Sequence, residues 1–258
     1  MTRVSVVGCG NMGGAFLKGL AGVGAHHLTA IDLDPDALEA VEEAATETTD
    51  DIAAAKEAEV VIVAVKPDVV GAILDDLDLS ADQTLVTLAA GVSREFVADR
   101  TDASVVRIMP NLAAETGNMA AAATEESLTD EVRELLDDVG EFVEVDESLM
   151  DIATAVNGSG PAFVFYLIDA MKQAGIEGGL EPGQAETLAA QTFKGAAETV
   201  LRSEESLDDL IDAVATEGGT TIEGMEVLWD SNAAAAAGDA VHAAADRSRE
   251  LSSGFDDE

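Results

Sequence analysis

The sequence predicts an α/β protein, a doubly wound N-terminal sheet followed by an all-helical half, and three observations carry that reading. Short β-branched runs alternate with amphipathic stretches over roughly the first 145 residues, the pattern of parallel strands joined by crossover helices. A glycine cluster directly follows the first of these runs, and an acid closes the second. After Asp146 the strand pattern gives way to helical periodicity. The division falls near residue 150, giving regions 1–150 and 151–258.

The elements follow in order. "RVSVVGCG" reads as a strand into a glycine turn, and "NMGGAFLKGLAG" as a helix with Phe16, Leu17 and Leu20 inward. "HLTAID" is a second strand, and "DPDALEAVEEAA" a helix with Asp34 as N-cap and Pro35 at its first position. "AEVVIVAVKP" is uniformly apolar from Val60 to Val65, as a central parallel strand buried on both faces must be. "QTLVTLAAG" and "ASVVRIMPN" repeat the plan around the helix "SREFVADR", and "DEVRELLDDVG" with "EFVEVD" closes the region. Beyond it, Ile152 to Ile168 reads as a loop through Asn157, Gly158, Ser159, Gly160 and Pro161 that enters a helix. "PAFVFYLIDAMKQAG" is apolar nearly all round, which implies burial in a bundle or against another subunit. "PGQAETLAAQTFKGAAETVL" has a small-residue face through Ala185, Ala189, Ala196 and Val200. An alanine-rich helix runs to Leu251, and residues 254–258 are expected to fray.

The chemistry begins at "GCGNMGG". Gly8, Gly10 and Gly13 have the spacing G-x-G-x-x-G, with Asn11 and Met12 between them. The cluster follows the first strand and opens a helix, and Asp32 ends the next strand 19 residues after Gly13. In that context the glycines permit a tight turn, close approach of a pyrophosphate, and helix packing, while the acid meets a ribose hydroxyl. Ligands of such sheets lie beyond the carboxyl ends of the strands. Lys66-Pro67, Ala89-Ala90-Gly91 and Met109-Pro110-Asn111 lie there, at the ends of "AEVVIVAVKP", "QTLVTLAAG" and "ASVVRIMPN". Cys9, between the glycines, reads as a small packed residue.

Composition bounds the alternatives. The chain has 258 residues, with 52 acidic against 13 basic ones and a net charge of −39. Such a chain repels itself in dilute buffer, and its balance resembles that of proteins working in molar salt, where screening falls to roughly 3 Å. No basic stripe exists to meet nucleic-acid phosphates. One cysteine forms no internal disulfide and suits a reducing cytoplasm, and three histidines add no metal-ligand spacing. Neither a signal peptide nor a membrane span is expected.

The helical half holds two glycine-rich helix starts, "NGSGPAF" and "EGGTT". Gly218, Gly219, Thr220 and Thr221 open a helix whose Ile222, Met225 and Trp229 share a face. Free backbone N–H groups, two hydroxyls and the positive end of a helix dipole suit an anion. No serine–histidine pair, carboxylate dyad or HExxH motif stands out, so the reaction is one that a cofactor carries.

In their order and spacing, "GCGNMGG", "AVKP", "AAGV", "RIMPN", "NGSGPAFVF" and "EGGTTIEGMEVL" resemble the pyrroline-5-carboxylate reductases over nearly the whole chain. The resemblance implies an N-terminal Rossmann domain and a helical dimerisation domain, with active sites completed between subunits. It implies hydride transfer from NAD(P)H to the cyclic imine of 1-pyrroline-5-carboxylate, giving L-proline. Thr221 matches the family threonine that faces the ring nitrogen, and Gly218, Gly219 and Thr220 hold the substrate carboxylate. Glu204 falls where the family often has a glutamate near the site. Ala64, Val65, Lys66 and Pro67 of "AVKP", with Ala90 and Asn111, match cofactor-crevice positions. Three places depart from the family pattern: Glu217 replaces a proline, Asn157 a serine, and Leu112-Ala113 the Thr-Pro of its MPNTP run.

For the cofactor itself, a carboxylate at Asp32 with no lysine or arginine nearby favours NADH over NADPH. The alternatives are a related imine or β-hydroxy-acid reductase, the latter needing a lysine in the helical half where only Lys172 and Lys194 occur, and a non-catalytic nucleotide sensor.

Overall fold

The computed structural model describes residues 1–126 and 128–253. The stretch expected to fray, 254–258, lies outside the described residues. By internal contacts the chain divides into two compact units, Met1–Ser159 together with the chain from His242, and Gly160–Val241.

The first unit is built on an eight-stranded sheet. Its elements run β1 (Arg3–Val7), α1 (Asn11–Val23), β2 (His27–Ile31), α2 (Pro35–Glu39), β3 (Glu47–Thr49), β4 (Val60–Val63) and α3 (Val70–Asp76). Then come β5 (Thr84–Thr87), α4 (Arg94–Ala98), β6 (Ser104–Pro110), β7 (Met119–Thr124), α5 (Asp130–Asp137) and β8 (Gly140–Val145). The strand order is β3-β2-β1-β4-β5-β6-β7-β8. All neighbours pair in parallel except β6 and β7, which meet antiparallel from Ile108↔Ala123 to Pro110↔Ala121. Order reverses between β1 and β4, which sets the ligand crevice at the carboxyl ends of those two strands.

Alternation along the strands builds one core on each face. Val6, Ile62, Val86 and Val106 join Phe16, Leu17 and Leu20 of α1 on one side. Val7, Val61, Val63, Leu85 and Val105 join Val70 and Leu74 of α3 on the other. Sequence periodicity places β1, β2, β4, β5, β6 and β8 correctly and leaves out β3 and β7. Alanine fills four of the six positions of β7 and carries little strand preference, so periodicity gives no signal there. Small residues are what the place requires: a Cβ on Gly140 of β8 would lie 2.1 Å from the Met119 carbonyl oxygen of β7.

The stretch read as a loop near Asn157 is helical. α6 (Met150–Ala153) runs into a π turn, Thr154–Gly158, closed by the Ser159 N–H on the Thr154 carbonyl at 3.1 Å. Hydrogen bonds tie this segment to β6 and β7, and the first unit runs to Ser159.

The second unit contains α7 (Gly160–Glu177), α8 (Pro182–Arg202), α9 (Leu207–Val214), α10 (Thr220–Trp229) and the start of α11 (Ala233–Ser253). Pro182 at the first turn and a capping box between Glu181 and Gln184 start α8. Of its small-residue face, Ala185 and Ala189 are buried, whereas Ala196 and Val200 are exposed. α7 has no buried residue, and Phe165 and Tyr166 stand 67% and 76% exposed. The end of α11 returns to the first unit, where Ser248 donates to Asp151 of α6 at 2.6 Å.

One buried ion pair anchors the segment leading into α6. Arg107 on β6 is 5% exposed and donates from Nη1 to Glu147 Oε1 at 2.6 Å. The same oxygen accepts the Arg94 amide at 3.2 Å. Among the described residues, Nε and Nη2 of Arg107 have no protein partner, so the buried charge depends there on one carboxylate. Glu147→Ala should therefore destabilise the protein by about 2–4 kcal/mol, below the cost for a wholly enclosed pair because Glu147 reaches solvent. Urea unfolding at fixed salt measures this, and a double Arg107→Met, Glu147→Leu variant should lose less than Glu147→Ala alone.

Candidate functional site

The glycine turn is packed at two of its three glycines and open at the third. Gly8 has φ +94, and a Cβ there would lie 2.8 Å from Val65 Cγ1 and 2.9 Å from the Ala64 carbonyl oxygen. A Cβ on Gly13 would lie 1.9 Å from the Gly8 carbonyl oxygen and 3.0 Å from the Ala64 Cβ. Gly8, Gly13, Ala64 and Val65 are thus drawn together across the point where strand order reverses. At Gly10 a Cβ would meet nothing within 4 Å. Gly10 caps α1 with no side-chain hydrogen bond, and the first intrahelical bond is Gly14 N–H to the Gly10 carbonyl at 2.8 Å. The amides of Asn11, Met12 and Gly13 therefore stand ahead of the helix ladder beside open space. That is a cradle for an anion, and a dinucleotide pyrophosphate fits it.

Asp32 faces this turn. Its Oδ2 accepts the Cys9 amide at 2.6 Å and its Oδ1 the Asp34 amide at 2.9 Å. Each oxygen keeps a lone pair for a further donor. The Cys9 thiol is pushed up to about 12 by burial, aided by the Asp32 charge, so it stays protonated and serves as packing. A cleft of about 470 Å³ flanks the turn between α1 and α2, lined by Gly10, Asn11, Lys18, Asp34, Asp36 and Glu115 among others. Its one cation, Lys18, lies 3.6 Å from Glu115, so the surroundings of the β2 end are acidic.

Further along the sheet edge, Lys66 and Pro67 follow β4, and Ala90 packs with Met109, Ala122 and Met150. Asn111 is buried, accepting the amides of Ala113 and Ala120 and donating to the Asn157 carbonyl at 3.2 Å. Among the described residues, Lys66 and Lys194 have no ion-pair partner, while Arg100 stacks on Phe96 and the other lysines and arginines pair with carboxylates. Lys172 is held by Glu186 at 2.5 Å, an interaction that raises its pKa. No group of His, Cys, Asp or Glu among the described residues is placed to hold a metal.

In the second unit, Gly219 N–H closes a turn on the Thr216 carbonyl at 3.0 Å, and Gly218 takes φ +72 in it. A Cβ on Gly219 would lie 2.9 Å from Thr216 Oγ1, so both glycines are required by the turn itself. Gly219 caps α10 with no side-chain hydrogen bond, which leaves the N–H groups of Thr220, Thr221 and Ile222 free. Glu204 lies in the exposed turn between α8 and α9.

The family model for pyrroline-5-carboxylate reductase dimerisation matches residues 147–251, and one described as NADP oxidoreductase, coenzyme F420-dependent, matches residues 3–91. A pyrroline-5-carboxylate reductase of Methanosarcina acetivorans is 34% identical over 96% of this chain and 97% of its own. The structure of a pyrroline-5-carboxylate reductase from Coxiella burnetii superposes with a TM-score of 0.87 at 28% identity, covering 97% of this chain and 98% of that one. A Plasmodium falciparum pyrroline carboxylate reductase with NADP bound shares the fold, with a TM-score of 0.83 at 23% identity over 97% and 98% of the two chains. Whole-length identity with reductases of one kind, on a Rossmann sheet with a helical second half, decides the matter: this chain belongs to the pyrroline-5-carboxylate reductase family.

Proposed function

We propose that this protein reduces the ring C=N bond of 1-pyrroline-5-carboxylate to L-proline, the closing step of proline synthesis. The supporting observation is the pair of anion cradles at Gly10 and Gly219 in a chain of this family. Residues 1–150 serve the cofactor, and residues 151–258 serve substrate binding and self-association as a homodimer or larger assembly. Bound NAD(P)H supplies the hydride. Gly8, Gly10 and Gly13 admit the pyrophosphate to the N–H groups of Asn11 and Met12, and Ala64 to Pro67, Ala90 and Asn111 form the rest of the crevice. Lys66, without an ion-pair partner among the described residues, adds a positive charge at that edge. The helix start at Gly218, Gly219 and Thr220 receives the substrate carboxylate, with the free N–H groups of Thr220 and Thr221 as donors, a role for backbone in a chain with so few cations. The Thr221 hydroxyl hydrogen-bonds the ring nitrogen, orienting the imine and relaying a proton; Glu204 contributes beside it. The site chemistry, the acidic surface and the single reduced cysteine fit a salt-rich cytoplasm. Oxidation of reduced cofactor on addition of pyrroline-5-carboxylate tests the reading, and no turnover would end it.

Thr221→Ala should cost about 2–4 kcal/mol of transition-state stabilisation, roughly two orders of magnitude in kcat, with cofactor affinity unchanged. Parent-level turnover would remove the hydroxyl from the chemistry.

Salt should stabilise and activate the enzyme. Mutual repulsion of 39 net negative charges opposes compaction and repels anionic ligands until ions screen it. Melting temperature and activity should both rise between about 0.1 M and about 3 M KCl. A flat response would show that the charge is compensated within the protein.

NADH should be the better cofactor. Asp32 is turned toward the glycine turn, where its carboxylate accepts the ribose 2′-OH of NADH and repels the 2′-phosphate of NADPH. Asp34 and Asp36 nearby add to that repulsion. Salt softens it at long range and leaves it intact at hydrogen-bonding distance. Comparing kcat/KM for the two cofactors in high salt is the check, and a clear preference for NADPH would take Asp32 out of the ribose site.

A further inference from the structure

The carboxyl end of β6 is closed by a ring of three hydrogen bonds. Asn157 Nδ2 donates to the Ala120 carbonyl at 2.9 Å, the Ala120 amide to Asn111 Oδ1 at 3.3 Å, and Asn111 Nδ2 to the Asn157 carbonyl at 3.2 Å. The second N–H of the Asn157 carboxamide goes to the Met109 carbonyl at 2.5 Å. Two prolines explain why side chains are needed here. The helix partner of the Asn157 carbonyl would be the amide of Pro161, which has no N–H, so that oxygen falls to Asn111. Pro110 is the last residue of the β6–β7 ladder and brings no N–H to it, and the Asn157 carboxamide supplies donors to carbonyls on both strands there. A π turn carries Asn157 to this place, an irregularity that often marks functional positions in helices.

We propose that Asn157 is a positioning residue of the cofactor crevice: by bridging β6 and β7 and fixing Asn111, it sets the geometry of the crevice half opposite Asp32. A dinucleotide spans both halves of such a sheet, so with its adenosine ribose at the β2 end its nicotinamide half lies over β4 to β6. Asn111 has committed its carbonyl oxygen twice and one N–H once, which leaves one N–H for a ligand. Asn157 decides where that group points. The proposal rests on the reading of this unit as a nicotinamide-cofactor site.

The test is NADH binding by nicotinamide fluorescence in high salt, on the unsubstituted protein, Asn157→Ser, Asn111→Ala and the double variant. Serine keeps one donor in place of two. Asn157→Ser should keep its melting temperature within a few degrees, weaken NADH binding about tenfold and lower kcat. The double variant should bind no worse than Asn111→Ala, because Asn157 acts through Asn111. Parent-like affinity in Asn157→Ser, or losses that multiply in the double variant, would overturn the role of Asn157. No NADH binding by the unsubstituted protein would instead overturn the cofactor reading itself. A measurement without substitution covers variants that do not fold: NADH should shift the side-chain amide NMR signals of both Asn111 and Asn157, and signals that stay in place would refute the proposal.

Discussion

Everything at the crevice depends on one close approach. The chain leaving β1 turns at Gly8 and passes beneath the first turn of α1 at a distance that leaves no room for a side chain on Gly13. Because Gly8 also lies against Ala64 and Val65, that approach fixes α1 to the end of β4. Asp32 adds the end of β2 through the Cys9 amide. Three strand ends and a helix terminus are thereby held together without a ligand. What they surround is Gly10, the one of the turn's three glycines at which a Cβ would meet no described atom within 4 Å. Two glycines are demanded by the fold, and the third leaves open the place proposed for the cofactor pyrophosphate.

Much of this was legible in the sequence because each signal was local. Asp34 and Pro35 begin α2 as their chemistry requires, and a run of four valines and isoleucines could only be a buried strand. Gly218 and Gly219 were recognisable as a helix start, and both prove necessary to its turn. The misses share a different cause. β7 is a strand made by its neighbours, not by its own alanines. The π turn at Thr154–Gly158 is a helix that glycines and a proline disguise as a loop, held by partners 37 to 48 residues away. A hint was present, since Pro161 four residues after Asn157 leaves a carbonyl without its helical donor. Sequence can show that such a carbonyl needs a partner; only the fold shows that Asn111 is the one.

The charge has a structural counterpart in how the few cations are used. Nearly every lysine and arginine is drawn to a carboxylate, as expected where acids outnumber them so heavily, and most of these pairs lie on the surface, where they stabilise little. Arg107 differs because it is buried and because Glu147 ties it to the connector ahead of α6. Lys66 differs in the opposite way: like Lys194 it has no ion-pair partner among the described residues, and it stands at the carboxyl edge of β4. A cation that no carboxylate has captured is most useful where an anion must be admitted.

The two units differ in what holds them up. The first has a core on each face of its sheet. In the stretch Gly160–Val241, the only described residues buried within the chain are Ala185 and Ala189, while Phe165, Tyr166, Leu188, Leu201, Val227 and Trp229 stand exposed. Helices that bury so little do not repay the entropy of ordering them, and apolar side chains of this size left in water are a surface meant to be covered. The family's dimerisation match spans this same stretch. Association would then complete the helical unit as much as join two finished molecules, and it must do so between chains that each carry 39 net negative charges. Screening by salt lowers that repulsion, while burial of the aromatic and aliphatic side chains supplies the attraction. Ions that screen the surface charge would then act on the association that covers these exposed side chains.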